Sequence, residues 1–381
     1  MLRMLFTESQ ERMKANVKRM VQERVIPRAA EIDEKDEVPI DLLKIFSEMG
    51  IFSILVPEEF GGLGGGLTEL CLTMEEIAKG SVSCVSSVLG QAVGALLLKF
   101  VGNEEQKAKY YTRIMKDGYI AFCLTEAQGG SDLGGITTKA IRNGDYYIVS
   151  GRKAFITQGG YAEGYITLVR TDPTSVGRKG LSFLWIDKET EGFSTGKEEK
   201  RMGHRGSSST ELIFDNAKVP RSQLLGQEGE GIELARRILS YTRPAIAIWA
   251  IGNAEGALEY AMDYIKTRPQ FGKMISEFQA VRFIIAEMAT KIELAKSLIY
   301  RVASMVDGGV FDDILTLASM AKWYSTDVGM EVTTQAVQIM GSYGYSREYP
   351  VERMMRDAKG LQIAEGANEI QKVIIAKNIL D

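Results

Sequence analysis

The stretch RNGDYYIVSG (residues 142–151) decides how the whole chain is organised. An Asn-Gly pair beside β-prone residues is a strong signal for a β-hairpin, because both residues tolerate the positive φ angles of a tight turn. The β pattern continues in three further runs: YITLVRT (165–171), LSFLWID (181–187) and TELIFDNAKVP (210–220). We therefore expect an antiparallel β domain over residues 121–228.

Helical spacing of apolar residues surrounds this β region on both sides. The preceding patterns cover about 8–26, with a stop at Pro27, then about 40–50, 67–79, 86–101 and 104–116. The following patterns run over about 230–267, with an interruption at Arg243-Pro244, then 278–306, 312–341 and 369–380. The sequence predicts an α+β protein with an N-terminal helical domain (1–120), a middle β domain (121–228) and a C-terminal helical domain (229–381).

Composition narrows the classes of function. The 381 residues are 45% apolar and 25% charged, as in ordinary soluble proteins, and a net charge of −4 gives no reason to expect a nucleic-acid partner. Cys71, Cys84 and Cys123 form no CxxC pair, which favours a reducing compartment over disulfides or a zinc cluster. His204 is the only histidine, so a multi-histidine metal site is excluded. We expect His204 to be a surface or interface loop residue.

The ends and apolar runs of the chain suggest where it works. No apolar run looks long enough to span a bilayer, and the N-terminus is too short before its first helix for a cleavable signal peptide. We expect a cytoplasmic protein of bacterial type without a membrane partner, or a mature form in the mitochondrial matrix.

Four stretches combine glycines, hydroxyls and aromatic residues in ways that plain structure does not require. They are FCLTEAQGGSD (122–132), GRKAFITQGGYAE (151–163), RPQFGKMISEFQ (268–279) and QIMGSYGYSREYPVERMMRDAKGLQIAEGANEIQ (338–371). Glycines allow a backbone to approach a flat or anionic ligand, but each stretch alone also fits an ordinary loop. The chain contains no GxGxxG or GxxxxGK[ST] motif, which disfavours a Rossmann domain and a P-loop.

Glu365 is the most informative single residue in these stretches. It lies among the small residues Ala364, Gly366 and Ala367, directly before an apolar helix pattern. A carboxylate there could simply favour the helix N-terminus. However, Asn368 is a better N-cap candidate, with Glu369 in the first turn, so Glu365 is free for another role.

Taken in this order, the four stretches resemble the acyl-CoA dehydrogenase family of flavoproteins, over essentially the whole chain. The family loops read LTEPxAGSD, KxWITNG, RxxFGxxxxxFQ and QxxGGxGY…PxxRxxRDxxxxxIYEGTxEIQ. The resemblance implies an N-terminal helical domain, a middle antiparallel β-barrel domain and a C-terminal four-helix bundle, assembled as a homotetramer. It also implies an oxidoreductase that acts on CH–CH donors in acyl-CoA metabolism and holds FAD between the β domain and the bundle.

The resemblance assigns a role to each matching position. Glu365 falls on the family's catalytic glutamate, which removes the α-proton of an acyl-CoA thioester while a β-hydride passes to flavin N5, giving a trans-2-enoyl-CoA. Some members carry the base on a bundle helix, where this chain has Thr242, which cannot serve. The implied FAD contacts are Thr125, Ser131, Phe155, Ile156, Thr157, Arg268, Phe271, Gln279, Gln338, Gly341, Ala367 and Glu369. The implied substrate contacts are Gln91, Ser131, Thr242, Arg243, Ala364 and Gly366.

Departures from the family pattern bear on the substrate. Ala364 replaces a tyrosine that normally lines the acyl pocket, Ala367 replaces a threonine, and Phe155 replaces a tryptophan. We hypothesise a branched or alicyclic acyl group, with Gln91 and Trp249 also shaping the pocket. No arginine lies near 88–95 to pair with a terminal carboxylate, so a glutaryl-type substrate is disfavoured.

The electron acceptor leaves alternatives open. The expected partner is electron-transfer flavoprotein, whereas an enoyl-CoA reductase or an acyl-CoA oxidase would use the same site. A helical assembly protein without catalysis would have no use for a carboxylate in this setting.

Overall fold

Helices form the first part of the structure, a computed structural model that describes residues 6–116, 118–311 and 314–380. They are α1 (Glu8–Met20), α2 (Ala29–Lys35), α3 (Ile40–Glu48), α4 (Leu67–Gly80), α5 (Val82–Val101) and α6 (Glu104–Met115). The predicted stop at Pro27 is wrong. The chain stays helical through Val21–Val25 and through a 3-10 turn at Ile26–Arg28, because the fixed φ of proline fits the first turn of a helix.

The middle part is a β-sheet whose hairpin confirms the opening prediction. Strands β2 and β3 pair in antiparallel register, with Asn143 opposite Tyr146 and Gly144 at a φ of 58° in the turn. The strands are β1 (Ile120–Cys123), β2 (Lys139–Asn143), β3 (Tyr146–Thr157), β4 (Gly164–Arg170), β5 (Leu181–Asp187), β6 (Phe193–Glu198), β7 (Ser209–Pro220) and β8 (Leu224–Leu225).

The predicted antiparallel β-barrel needs correction. The strand order is β6-β7-β3-β2-β4-β5-β8, with β1 pairing in parallel with β4. Strands β2 and β4 also pair in parallel, through Lys139 and Arg170. Among the described residues, β6 and β8 do not pair with each other, so the sheet is mixed and remains open. The loop between β1 and β2 brings the chain back so that both strands run parallel to β4. The sequence pattern, which indicated only hairpins, did not predict this connection.

In the described residues of the C-terminal part there are three long and two shorter helices, where four were predicted. They are α7 (Gly231–Thr267), α8 (Gln279–Asp307), α9 (Ile314–Met340), α10 (Pro350–Ile363) and α11 (Asn368–Leu380), with a short strand pair, β9 (Pro269–Gln270) and β10 (Lys273–Met274), between α7 and α8. Helix α7 continues without interruption through Pro244, contrary to the prediction of a break there.

The buried apolar residues form two clusters, and these clusters do not follow the three domains predicted along the chain. One cluster joins the N-terminal helices to the C-terminal helices, for example through Leu72 of α4, Ile251 of α7 and Ile299 of α8. A second, separate cluster lies within the sheet and includes Val149 and Leu184. The first and last thirds of the chain therefore share a core, and the sheet contributes residues such as Ile166, Phe183 and Trp185 to it besides forming the second cluster.

Helix α5 contradicts the expectation that no apolar run is long enough to span a bilayer. By length and composition it is long and apolar enough to cross a membrane, and 78% of its apolar window is buried inside the protein. Burial of this extent is typical of a core helix.

Candidate active site

Glu365 lies in a short turn between α10 and α11, at the point where α7 crosses it. Its carboxylate oxygen Oε2 accepts a hydrogen bond of 2.8 Å from Thr242 Oγ1 on α7. Helices α7 and α10 run antiparallel, since Asn253 Nδ2 farther along α7 donates to the carbonyl of Met354 at 2.8 Å. This alignment of two helices brings Thr242 and Arg243 to the turn that carries Glu365.

The backbone of this turn is unusual. Glu365 has a φ of 55°, and Gly366 follows with a φ of 93°. A non-glycine residue in the left-handed region is uncommon and costs conformational energy. The turn is therefore held by contacts with its surroundings, and Ala364 and Gly366, both half-buried, are at its two sides.

The electrostatic setting of Glu365 favours a proton-accepting carboxylate. Burial raises the pKa of Glu365 above its ordinary value, while the Thr242 hydrogen bond and the charges of Arg243 and Lys322 oppose the rise. Arg243 is itself buried, which lowers its pKa to about 10, and its Nη1 donates to Ser319 Oγ at 3.1 Å. A desolvated carboxylate with a pKa above normal is the arrangement that general bases use near neutral pH.

The sequence reasoning missed Lys322 of α9. Its ammonium nitrogen donates to the carbonyls of Gln362 and Gly366 at 3.0 and 2.9 Å and to Asn368 Oδ1 at 2.8 Å. In sequence, Lys322 sits inside a helical pattern without any motif around it, so no local signal marked it.

Asn368 does not act as the predicted N-cap. Helix α11 begins at Asn368 itself, and its side chain amide bonds Lys322, Thr326 and Asp327 of α9 instead. Ala367 precedes it half-buried, and Glu369 is exposed in the first turn of α11.

A second group of site candidates lies on the sheet. The backbone N–H of Ala154 in β3 donates to the carbonyl of Thr125 at 2.9 Å, which joins the 122–132 loop to this strand. A bulge between Lys153 and Ile156 places Phe155 at a φ of 56° with 60% of its side chain exposed. Thr157 and Ser131 are also exposed. These residues present an aromatic ring and hydroxyls on one part of the sheet.

The side chain of Ile156 is turned away from the exposed side of β3. Its side chain is buried in the core of the sheet, because the strand alternation that exposes Phe155 and Thr157 turns Ile156 inward. A ligand beside this strand could reach only its backbone.

A buried ion pair fixes the 122–132 loop. Lys153 Nζ donates to Glu126 Oε1 at 2.9 Å, and the same carboxylate accepts bonds from the backbone N–H groups of Thr137 and Thr138. Burial opposes ionisation, but the Lys153 charge and these hydrogen bonds outweigh it and lower the pKa of Glu126 to about 2. Glu126 is therefore a structural partner of the backbone at Thr137 and Thr138.

A third group lies at the other end of the C-terminal helices. Arg268 ends α7 and places its guanidinium over the ring of Tyr343 at 5.2 Å. Phe271 is 94% exposed at the tip between β9 and β10. Also exposed in this region are Gln279, Gln338 and Gly341, the last with a φ of 61°.

The third group is remote from Glu365 within one chain. Helix α7 carries Thr242 near its start and Arg268 at its end, about 39 Å apart at a rise of about 1.5 Å per residue. Within one chain, the residues around Arg268 are therefore too far from Glu365 to contact the same part of a ligand, although the sequence assigned both groups to one cofactor site.

Gln91 is not brought to the site. Its Nε2 donates to the carbonyl of Ile114 at 2.7 Å, and its Oε1 accepts from the N–H of Ile120 at 2.9 Å. Both ends of the fully buried amide are used, one to join α5 to α6 and the other to join α5 to the start of the sheet, which contradicts the expectation of a substrate contact.

His204 lies where the sheet domain meets the C-terminal helices. Its backbone N–H donates to Asp357 Oδ1 at 2.6 Å, and its ring packs against Trp249 with the ring centroids 5.3 Å apart. Burial lowers the pKa of His204 to about 4 and raises the pKa of Asp357 to about 7. The residue is an interface contact between two domains of this chain.

Comparison with family models identifies all three parts of the chain. The N-terminal domain model of acyl-CoA dehydrogenase matches residues 7–118, the middle domain model matches 121–217, and the C-terminal domain model matches 229–380. The chain belongs to the acyl-CoA dehydrogenase family. It is an oxidoreductase that acts on CH–CH donors.

Individual relatives agree with the family assignment. An acyl-CoA dehydrogenase of Bacillus subtilis (strain 168) is 42% identical over 377 residues, which is 98% of this chain and 98% of the relative. A cyclohexane-1-carbonyl-CoA dehydrogenase of Geobacter metallireducens is 41% identical over 366 residues, or 96% of this chain and 95% of the relative. The solved butyryl-CoA dehydrogenase of Megasphaera elsdenii superposes with a TM-score of 0.96 at 36% identity and covers 100% of both chains.

Proposed function

We propose that this acyl-CoA dehydrogenase removes the α-proton of an acyl-CoA thioester with Glu365 and produces a trans-2-enoyl-CoA. The observation that carries the proposal is the carboxylate of Glu365, whose pKa is raised by burial and which accepts a 2.8 Å hydrogen bond from Thr242 beside Arg243. The α-hydrogen of a thioester is only weakly acidic, so its removal needs a base fixed in position. The raised pKa suits a base that accepts this proton.

FAD is the cofactor that we assign to this site, and the residues fit it. The exposed Phe155 ring offers a flat apolar surface, and hydroxyls are offered by Thr157 on the same strand and by Thr125 and Ser131 in the loop bonded to that strand. A planar apolar ring with polar edges is the kind of group that such a surface covers. When bound, FAD supplies the acceptor for the hydride that leaves the β-carbon.

The remaining residues have binding roles in this proposal. The backbone around Ala367 and the side chain of Glu369 would contact FAD near the turn, and Arg268, Phe271, Gln279, Gln338 and Gly341 would hold its adenosine and pyrophosphate part. Ala364 and Gly366 would line the acyl group, and Arg243 would keep the site electrostatically balanced around Glu365.

The experiment for this proposal compares wild type with Glu365→Gln. We expect the purified wild type to be yellow and to be bleached by its acyl-CoA, and we expect the variant to bind FAD but to lose at least about 1,000-fold in the rate of bleaching, as removal of a catalytic base implies. Full activity of Glu365→Gln would remove the assignment of the base. Absence of bound FAD in wild type would remove the flavin chemistry.

The acyl group that we propose is branched or alicyclic. Ala364 leaves space where the family has a tyrosine, and a relative 41% identical to this chain is named a cyclohexane-1-carbonyl-CoA dehydrogenase. Trp249 lies on the same side of α7 as Thr242, two turns or about 10 Å farther along, and suits the far wall of a wide, short pocket. A rate on butyryl-CoA or octanoyl-CoA far above that on isobutyryl-CoA and cyclohexanecarbonyl-CoA would refute the proposal.

Electron-transfer flavoprotein is the acceptor that we propose, in a cytoplasmic homotetramer. After reduction by acyl-CoA, reoxidation should be fast with this partner and slow with oxygen. Fast reoxidation by oxygen would make the protein an oxidase, and net reduction of an enoyl-CoA under the same conditions would make it a reductase.

A further inference from the structure

Lys322 is a buried lysine that holds both sides of the turn carrying Glu365. The side chain is 0% exposed, although lysine is among the residues least often buried. Its nitrogen bonds the carbonyl of Gln362, at the end of α10, and the carbonyl of Gly366, directly after Glu365. One atom therefore fixes the backbone before and after the proposed base.

The turn needs such a contact because its backbone is strained. Two consecutive residues, Glu365 and Gly366, have positive φ angles of 55° and 93°. For a glutamate this conformation is unfavourable and persists only where neighbours enforce it. Gln371 Nε2 adds a bond to the carbonyl of Gly366 at 2.8 Å, on the side of α11.

The number of acceptors around Lys322 matches the charged form of the side chain. It faces three oxygens, those of Gln362, Gly366 and Asn368, at 3.0, 2.9 and 2.8 Å. An ammonium group has three N–H donors, whereas a neutral amine has two donors and a lone pair. Loss of the proton would leave one of the three oxygens facing a lone pair, so the geometry of the turn depends on the charge.

The charged groups that act on Lys322 lie on α7, α9 and α11 and in the turn. Arg243 is on α7, Asp327 is on α9, Glu365 is in the turn and Glu369 is on α11. Burial lowers the pKa of Lys322 to about 7, while the charge of Glu365 opposes this fall and the charge of Arg243 adds to it. The charged forms of Lys322 and Glu365 therefore support each other.

We propose that Lys322 is a positioning residue for Glu365: its ammonium clamps the turn in the left-handed conformation and stabilises the ionised form of the base. This rests on the proposed role of Glu365. If Lys322 had only a structural role, it would make the same hydrogen bonds between α9 and the turn, but its removal would affect only stability and local order. A positioning role must also move the pH dependence of catalysis.

The decisive variant is Lys322→Met, which keeps the length of the side chain without donors or charge. We expect kcat to fall between about 10-fold and 100-fold, because small displacements of a reacting group have effects of that size. Since the lost cation had favoured the carboxylate, the pKa of Glu365 rises, and the acid limb of kcat/KM moves to higher pH by about one unit. Hydrogen exchange of the amides at 362–368 should also become faster.

Lys372→Met is the matched control. Lys372 is an exposed lysine on α11 that lies over the Trp323 ring at 5.0 Å, so its removal takes one positive charge from the same region without touching the turn. We expect its kcat and acid limb to equal those of wild type. A folded, FAD-loaded Lys322→Met with wild-type kcat and an unmoved acid limb overturns the proposal.

A measurement on wild type covers the case in which Lys322→Met does not fold. Protection of the 362–368 amides against exchange, corrected for intrinsic rates, should fall between pH 6 and pH 9 as Lys322 loses its proton, while protection in the middle of α9 stays constant. Unchanged protection in the turn over this range contradicts the clamp. Glu365→Gln separates the two proposals: if that variant is fully active, Glu365 is not the base, and if it is inactive while Lys322→Met is normal, only the clamp fails.

Discussion

At the scale of single residues, the hydroxyl of Thr242 is the contact that best defines the site. Thr242 cannot itself act as the base, but its hydroxyl donates a hydrogen bond to the carboxylate of Glu365. Its hydrogen bond to Glu365 stabilises the ionised form against the effect of burial. Thr242, together with the charges of Arg243 and Lys322, therefore limits how far burial raises the pKa of the base.

Removal of this hydroxyl by Thr242→Val should raise the pKa of Glu365. A hydrogen bond to a charged group contributes about 1.5 kcal/mol or more, and about 1.4 kcal/mol corresponds to one pKa unit, so we expect the acid limb of kcat/KM to move up by about one pH unit. Thr333→Val is the control, because Thr333 is equally buried on α9 and bonds only its own helix at Gly329 and Met330. An acid limb that stays in place in Thr242→Val shows that the bond does not act on the base.

A tyrosine at position 364 should narrow the acyl pocket. We expect Ala364→Tyr to lower kcat/KM for cyclohexanecarbonyl-CoA relative to butyryl-CoA by at least about 10-fold, since steric exclusion of a few carbon atoms has effects of that size. Ile363→Tyr is the control, because Ile363 is exposed and precedes the turn on α10. An unchanged ratio in Ala364→Tyr means that this position does not touch the acyl group.

At the scale of elements, the 122–132 loop depends on one buried ion pair rather than on its glycines. Glu126 and Lys153 join the loop to β3, the strand that also carries Phe155 and Thr157. The positions of the hydroxyls and of the aromatic ring are therefore linked through the same pair. Loss of this ion pair should therefore also disturb the residues that we propose contact FAD.

Replacement of the carboxylate by Glu126→Gln should destabilise the protein and weaken FAD binding. Removal of one partner from a buried pair costs about 3–5 kcal/mol. Because the pKa of Glu126 is lowered to about 2, its contribution to stability is present above the ordinary carboxyl range and is lost as pH falls from about 4.5 towards 2. Thermal unfolding of wild type and variant should therefore differ most near neutral pH and converge in acid.

The control for that measurement is Glu163→Gln, which changes an exposed glutamate beside β4. We expect wild-type unfolding temperatures and FAD content. If Glu126→Gln behaves like Glu163→Gln at neutral pH, the buried pair does not hold the loop.

At the scale of the whole molecule, α7 separates the residues that the cofactor needs. Glu365 and Thr242 lie near one end of the helix, and Arg268 lies about 39 Å away at the other. A second copy of the chain could bring its own Arg268 end to the Glu365 end of the first. This is the arrangement that the proposed homotetramer requires, with a mass about four times 42.1 kDa.

Mixed oligomers test this arrangement directly. Glu365→Gln alone should lack activity, and Arg268→Ala alone should lose FAD. If each site combines the two ends from different subunits, co-expression of the variants yields some sites with neither change, about a quarter of all sites for random pairing within symmetric dimers. Activity that remains at the level of the weaker parent shows that both ends serve the same subunit.

Much of this structure follows from the sequence, for reasons that are visible in particular residues. Periodicity placed the helices around the sheet, and Asn143-Gly144 placed the hairpin. The interruption expected at Pro244 failed because the tertiary packing of α7 overrides the local cost of proline. Helix pairing cannot be read from one segment, so neither the bond of Thr242 to Glu365 nor the contacts of Lys322 could be predicted.

The core that joins the first and last thirds of the chain has a consequence for fragments of the gene. Leu72, Ile251 and Ile299 belong to the same cluster, so a cut between the sheet and either helical part leaves apolar surface that only the other part can cover. Separately expressed pieces 1–120 and 229–381 should be insoluble, and co-expression of both together with 121–228 should recover them. The sheet contributes Phe183 and Trp185 to the same cluster, so it cannot be exchanged between relatives without repacking that core.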